Sequence, residues 1–324
     1  MTRTLDPELL AAATRMRTIA AEQGISMAPP ATWPRDYRAL RVFSETALAG
    51  LEAAADEHPE VARVDFAAQA PDGTAVPVRW YTPLGYDASG AGSATLYLHG
   101  GGMISGTVDL HDRLVAAYVA DSGVPMLAVD YRVAPEAPHP IPVEDCYSGL
   151  RWLVDHAGEL GVDPARVAVM GDSGGGGLAA GVTLLARDRG VALAKQILIY
   201  PMLDDRAKVV DPTLVPFAGW SYEDIHTAWT AVLGEATGGP DVSSYAAPAR
   251  AEDLSGLPAT YVEVGELDIL CDESIEYARR IALAGPSTEL HVHPGCPHGF
   301  DRSSAEIDVV QRARADRVRA LRGF

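Results

Sequence analysis

The sequence predicts an α/β fold with a mostly parallel eight-stranded sheet flanked by helices. Three observations carry this expectation. Short β-branched runs alternate with helical patterns from residue 94 onward, the spacing that makes successive strands parallel and covers both faces of a sheet. Two earlier runs, 61–68 and 76–81, flank Pro71-Asp72-Gly73 and read as a hairpin. A chain of 324 residues, 48% hydrophobic and 22% charged, has ordinary globular composition and is long enough for one large domain or two small ones.

Taken in order, Asp6-Pro7-Glu8 starts a helix, with Asp6 as N-cap, Pro7 in the first turn and Glu8 at the positive end of the dipole. Leu9, Leu10, Ala13, Met16 and Ala20 recur on one face, and Gly24 is the stop. A loop with Pro29, Pro30 and Pro34 leads to a second helix, whose stripe is Tyr37, Leu40, Phe43, Ala47 and Leu51. After the hairpin come strands at 94–98, 125–131, 167–170, 196–200, 261–264 and 288–292. Helices are expected near 110–120, over 143–156, 178–187 and 272–283, and from Ser304 onward.

One segment breaks the alternation. Residues 204–240 hold Phe217, Trp220 and Trp229 and a capping-box pattern at Ser221-Tyr222-Glu223-Asp224. The segment is too long and too aromatic for a plain connection, and reads as an insertion over the sheet's carboxyl edge. The expected organisation is an N-terminal helical cap segment over 1–55, a core over 56–203, a cap insertion over 204–240 and the rest of the core over 241–324.

A net charge of −18 argues against nucleic acid and against an anionic membrane surface. No run reaches the length of a membrane span, and Met1 to Pro7 holds no apolar signal core, so a cytoplasmic location is expected. The three cysteines, Cys146, Cys271 and Cys296, form no C-x-x-C and read as reduced thiols.

The chemistry concentrates at Gly171-Asp172-Ser173-Gly174-Gly175, a G-x-S-x-G between a strand and a helix. Such a turn lifts the serine hydroxyl clear of the sheet, and glycines two before and two after it let the backbone pack closely. The competing reading is phosphate binding, since Gly174 to Ala179 fits G-x-G-x-x-A. That motif belongs on the first strand–helix unit, however, and this one lies mid-chain. A serine needs a base, and the base needs an orienting acid, expected in the order Ser, Asp or Glu, His. Of nine histidines only His226, His291, His293 and His298 follow Ser173. His226 falls in the insertion, and His291 and His293 share one strand face. His298, in the loop after the last strand, is the expected base. Asp268, just beyond the preceding strand, is the expected acid. Glu266 and Asp272 are its rivals, and Asp272 better suits the start of the next helix. His99-Gly100-Gly101-Gly102 ends another strand, so the N–H groups of Gly101, Gly102 and Gly174 are the expected oxyanion donors, with His99 structural.

The blocks His99 to Gly102, Asp130-Tyr131-Arg132-Val133-Ala134-Pro135-Glu136, Gly171 to Gly175 and Pro297-His298-Gly299-Phe300 together resemble the hormone-sensitive-lipase-like esterases of the α/β-hydrolase fold. Tyr200-Pro201 and Asp268 to Glu273 also fit, and the likeness spans roughly residues 60–320. The resemblance implies a helical cap, hydrolysis of a small-molecule carboxylic ester through an acyl-enzyme, no cofactor, and a homodimer through the edge strand 288–292. Three departures stand out: Met103 where an aromatic residue is frequent, Gly174 where alanine is, and Ile269-Leu270-Cys271 after the acid. Short or medium acyl chains are expected, in a pocket of Met103, Ile104, Phe217, Trp220 and Tyr222. Arg132 and Glu136 are expected to pair across the Tyr131–Pro135 turn. No metal is expected, although His291, His293, Cys296 and His298 have ligand-like spacing. Two rival functions remain at this point. One is a ligand receptor on the same fold, disfavoured by an intact Ser173, Asp268 and His298. The other is a related hydrolase of amides, lactones or carbamates.

Overall fold

The computed structural model describes residues 3–22, 36–206 and 209–324. The hairpin is β1 (Val61–Gln69) and β2 (Ala75–Pro83), paired antiparallel along their whole length. Val76, Val78 and Trp80 are buried on one side of β2 and Ala75 and Pro77 are exposed on the other, the alternation of a half-covered strand. The remaining strands are β3 (Gly92–Leu98), β4 (Met126–Val129), β5 (Val162–Asp172), β6 (Lys195–Ile199), β7 (Ala259–Gly265) and β8 (Thr288–His293). Among the described residues they form one eight-stranded sheet, ordered β1-β2-β4-β3-β5-β6-β7-β8. From β4 to β8 every neighbouring pair is parallel, and β2 meets β4 antiparallel. β4 is buried at every position, as a strand covered on both faces requires.

The helices are α1 (Pro7–Glu22), α2 (Tyr37–Ala54), α3 (Asp112–Ser122), α4 (Ile141–Asp155), α5 (Gly174–Asp188), α6 (Tyr222–Leu233), α7 (Cys271–Ala284) and α8 (Asp308–Arg322). Alternate strand residues feed two apolar cores. Leu96, Leu98 and Val169 pack with α4, α5 and α7, whereas Tyr97, Met170 and Ile197 pack with α3 and α8. A third cluster joins Leu9 and Ala12 of α1 to Cys296, Phe300 and the start of α8. No described helix is long and apolar enough to cross a membrane.

Several expectations change. Asp6 caps α1, accepting from the N–H groups of Glu8 and Leu9. Glu8 reaches across to accept from the N–H of Asp308, capping α8 as well as facing its own dipole. Leu10 is 49% exposed and Ala12 takes its place inward, because α1 buries only a narrow stripe against the loop at Cys296. Gly24, Pro29, Pro30 and Pro34 lie outside the described residues, as do the side chains of Met16 and Ala20. In α2 the inward positions are Leu40 and Ser44, and Ala47 is exposed. α5 starts at Gly174, directly after the serine, and α8 starts at Asp308 after a 3-10 turn at Phe300–Arg302.

Arg132 and Glu136 do not pair with each other. The carboxylate of Asp145, fully buried at the start of α4, takes the Arg132 guanidinium through both its oxygens, and Asp72 of the hairpin turn takes a further N–H. A buried charge without a counter-charge is costly, so this long-range partner wins over a neighbour in sequence. Glu136 pairs instead with Arg41 of α2.

Candidate active site

The residues singled out from the motifs all lie at the carboxyl ends of the parallel strands, where the chain leaves the sheet and backbone groups are free. Ser173 follows β5 at φ 55° and ψ −120°, a strained setting for a residue with a side chain. The flanking glycines explain how the turn closes. A Cβ on Gly171 would stand 2.2 Å from the Gly175 carbonyl oxygen, and one on Gly175 would stand 2.1 Å from that of Leu98.

His298 sits in the loop after β8. Its Nδ1 lies 2.6 Å from Oδ2 of Asp268, and its Nε2 lies 2.9 Å from Oγ of Ser173. A carboxylate only accepts, so Nδ1 carries the proton and Nε2 is left to accept from the serine hydroxyl. Asp268 is itself buried and accepts from the N–H of Leu270, which fixes the carboxylate's direction. Burial pushes the His298 pKa down. The Asp268 charge and its hydrogen bond, helped by Asp172 and Asp301, outweigh this and leave it raised. Glu266 is engaged elsewhere, accepting from the N–H of Gly295, and Asp272 lies in the first turn of α7.

Gly101, Gly102 and Met103 have consecutive positive φ angles of 114°, 62° and 61°. This left-handed run turns the loop toward Ser173. A Cβ on Gly174 would lie 2.8 Å from the amide nitrogen of Gly102 and 2.7 Å from that of Met103, so the loop and the start of α5 are in close contact. Among the described residues no backbone hydrogen bond uses the N–H of Gly101, Gly102 or Gly174. His99 is fully buried beneath them. Its Nδ1 lies 2.8 Å from the Gly100 carbonyl oxygen, and its ring stacks on Tyr131 with centroids 4.2 Å apart. Burial lowers its pKa.

The five residues expected to line a pocket all belong to or pack against the larger core. Trp220 covers the glycine loop, its ring atoms 2.6 and 2.7 Å from where a Gly102 Cβ would stand. Met103 and Ile104 are buried in the larger core, and half-buried Phe217 packs against it. Tyr222 lines a cavity of about 290 Å³ together with Val210, Ile225, Trp229 and Ile269, beside Asp204 to Arg206, Glu223 and His226. The capping box at the start of α6 is formed, with Ser221 and Asp224 bonded reciprocally. Among the described residues the group whose ligand atoms lie close enough to hold an ion is Glu289, His291 and Asp316, which includes neither Cys296 nor His298.

Sequence reasoning missed the groups beneath the site. Asp172 accepts from the Tyr97 hydroxyl at 2.5 Å, and its other oxygen is 3.8 Å from the Arg302 guanidinium. Arg317 reaches in from α8 to Glu263, Asp301 and the Tyr118 hydroxyl. The Tyr200 hydroxyl donates to Asp301 at 2.9 Å. Burial alone raises the Asp301 carboxyl, but Arg317 beside it brings its pKa below the usual value. Asp172 was visible as the neighbour of the serine; nothing in the sequence pointed to Arg317 or Arg41.

The family described as alpha/beta hydrolase fold matches residues 95–302, which hold most of the described sheet together with Ser173, Asp268, His298 and the loop at 99–103. The chain belongs to the hormone-sensitive-lipase-like esterase family of that fold. Within the family it is 35% identical to an ethyl acetate hydrolase of Pseudomonas putida over 77% of this chain and 79% of that one. It is likewise 35% identical to carboxylesterase NlhH of Mycobacterium tuberculosis, over 77% and 78% of the two chains. The solved structure of a bacterial heroin esterase superposes with a TM-score of 0.85 at 40% identity, covering 98% of this chain and 97% of that one.

Proposed function

We propose that this chain is a serine carboxylesterase that hydrolyses small esters with short to medium acyl chains through an acyl-enzyme. The single observation that carries the reading is the bridge made by His298 between Ser173 and Asp268. Ser173 Oγ attacks the ester carbonyl carbon while His298 Nε2 takes the hydroxyl proton. The carbonyl oxygen becomes an oxyanion held by the N–H groups of Gly101, Gly102 and Gly174. Asp268 keeps the imidazole in the working tautomer and stabilises the imidazolium. Collapse breaks the C–O bond to the alcohol, which leaves with the proton from Nε2. Water then attacks the acyl-serine, His298 takes its proton, and the acid departs as that proton returns to Ser173.

In this reading residues 1–55 and 204–240 form the cap, supported by the packing of α2 against α6. The same reading includes a homodimer through β8, the last strand of the sheet, where Leu290 and Val292 are 38% and 39% exposed. It also includes a reducing, cytoplasmic setting, supported by three free and buried cysteines.

The test is turnover of p-nitrophenyl esters of increasing chain length together with stoichiometric labelling by a fluorophosphonate. Ser173→Ala is expected to abolish both. Turnover that survives the substitution overturns the mechanism.

A further inference from the structure

We propose that Arg41 of α2 is a positioning residue for the oxyanion loop, so that a helix belonging to the cap segment holds part of the catalytic apparatus in shape. The inference rests on the assignment of the oxyanion hole above.

The loop needs outside support. Three consecutive residues in the left-handed region include one, Met103, that carries a side chain. Such conformations persist where the surroundings over-determine them. The loop's own bonds are few: the N–H groups of Ile104 and Ser105 both donate to the Gly101 carbonyl, as does the Ser105 hydroxyl.

Arg41 supplies two more from outside. Its Nε donates to the Ile104 carbonyl at 2.6 Å, and its Nη2 donates to the Ala134 carbonyl at 2.7 Å. The N–H of Ala134 in turn donates to the Met103 carbonyl at 2.9 Å. One guanidinium therefore ties together the segments on either side of Met103's carbonyl contact. Glu136 grips its far edge through both carboxylate oxygens, at 3.0 and 2.6 Å. That fork fixes the guanidinium plane, which a single ammonium in its place would not do. It also neutralises the charge, so the effect on the hole is one of geometry. One turn further along α2, the Ser44 hydroxyl lies 2.9 Å from that of Ser105. α2 cannot swing away without breaking these bonds, which makes docking of this helix and assembly of the oxyanion hole a single event.

A hole works by being in place before charge develops. Loosening it should weaken binding of the tetrahedral state and spare the ground state. The experiment compares wild type, Arg41→Met and Arg41→Lys, each checked for native circular dichroism. It measures kcat and KM on p-nitrophenyl butyrate, affinity for an alkyl trifluoromethyl ketone that adds to Ser173, and affinity for the matching secondary alcohol, which forms no adduct. Outright removal of an oxyanion donor costs about 10²–10³-fold in kcat, so a displaced one is expected to cost about 10–100-fold in Arg41→Met, with less loss in Arg41→Lys. KM and alcohol affinity are expected to stay within about threefold, while ketone affinity falls in step with kcat/KM.

Where Arg41→Met does not fold, Arg41→Lys decides. Wild-type ketone affinity in either folded variant overturns the proposal, and so does equal loss of ketone and alcohol binding. Failure of the wild type itself to form the ketone adduct strikes the underlying oxyanion-hole assignment; an adduct that the variants leave intact strikes this inference alone.

Discussion

The rings of Tyr200 and His298 meet edge to face, with centroids 4.7 Å apart and planes at 63°. Tyr200 is held at both ends. Its backbone, at φ 36° just past β6, donates to the Glu263 carbonyl at 2.7 Å, and its hydroxyl donates to Asp301 three residues beyond His298. The imidazole is therefore bounded by the Asp268 carboxylate at one nitrogen, the Ser173 hydroxyl at the other and a fixed aromatic ring alongside.

Tyr200→Phe keeps that ring and deletes the bond to Asp301. Loss of one buried hydrogen bond to a charged group costs about 1.5–3 kcal/mol of stability. Because the hydroxyl touches no reacting atom, kcat is expected to fall about threefold to tenfold through misorientation of the base, with KM nearly unchanged. Steady-state kinetics and urea unfolding check the two effects separately.

In the proposed mechanism the raised pKa of His298 sets the acid limb of the pH profile. Only the neutral imidazole can take the serine proton, so kcat/KM is expected to fall as pH drops through a value above histidine's ordinary 6.5. Asp268→Asn removes the charge that opposes burial. The inflection is then expected below 6.5 while kcat drops by about 10³–10⁴-fold as the tautomer is lost. A pH–rate series on both proteins measures the sign of the shift.

Arg317 is buried with two carboxylates, Glu263 and Asp301, bonded to it. Arg317→Met leaves both without their cation and is expected to cost about 3–5 kcal/mol in a denaturant titration. Adding Glu263→Gln is expected to restore part of the loss, because one stranded charge is removed. Asp301, with its pKa depressed in the folded state, contributes stability above its ordinary 3.8 that is lost as pH falls below it. That contribution is expected to vanish in Arg317→Met.

Gly175→Ala places a methyl 2.1 Å from the Leu98 carbonyl oxygen and 2.4 Å from that of His99. Neither is a side chain that can turn aside. The substitution is expected to destabilise by about 1–3 kcal/mol and to suppress fluorophosphonate labelling by pushing α5 away from β3. Thermal melting and labelling stoichiometry are the measurements.

The parallel sheet, the hairpin and the strand-end loops were legible because each has a local cause. β-branched runs make strands, and Pro-Asp-Gly makes a turn. The glycines around Ser173 and at 100–102 answer to contacts and φ angles that a Cβ would forbid. Ser173, Asp268 and His298 could be named from motif order alone, since each sits where a strand ends. The burial stripes of α1 and α2 were only half legible, because a helix with one shallow contact leaves several apolar residues outside. The direction of Met103 was not legible: its side chain turns into the core beside Gly177 of α5, a choice made by packing.

What the chain's order of residues determined by itself was therefore the sheet and the set of groups delivered to its carboxyl edge. Only the tertiary structure decided which charge meets which. Arg132 chose Asp145 over Glu136, Glu136 chose Arg41, and Arg317 crossed from the last helix to Glu263. These pairings follow from burial and from the sheet order, in which β3 lies between β4 and β5 and distant segments become neighbours. Local propensity carries no record of such meetings, because the strength of an ion pair depends on distance and dielectric, and both are set only when the layers close.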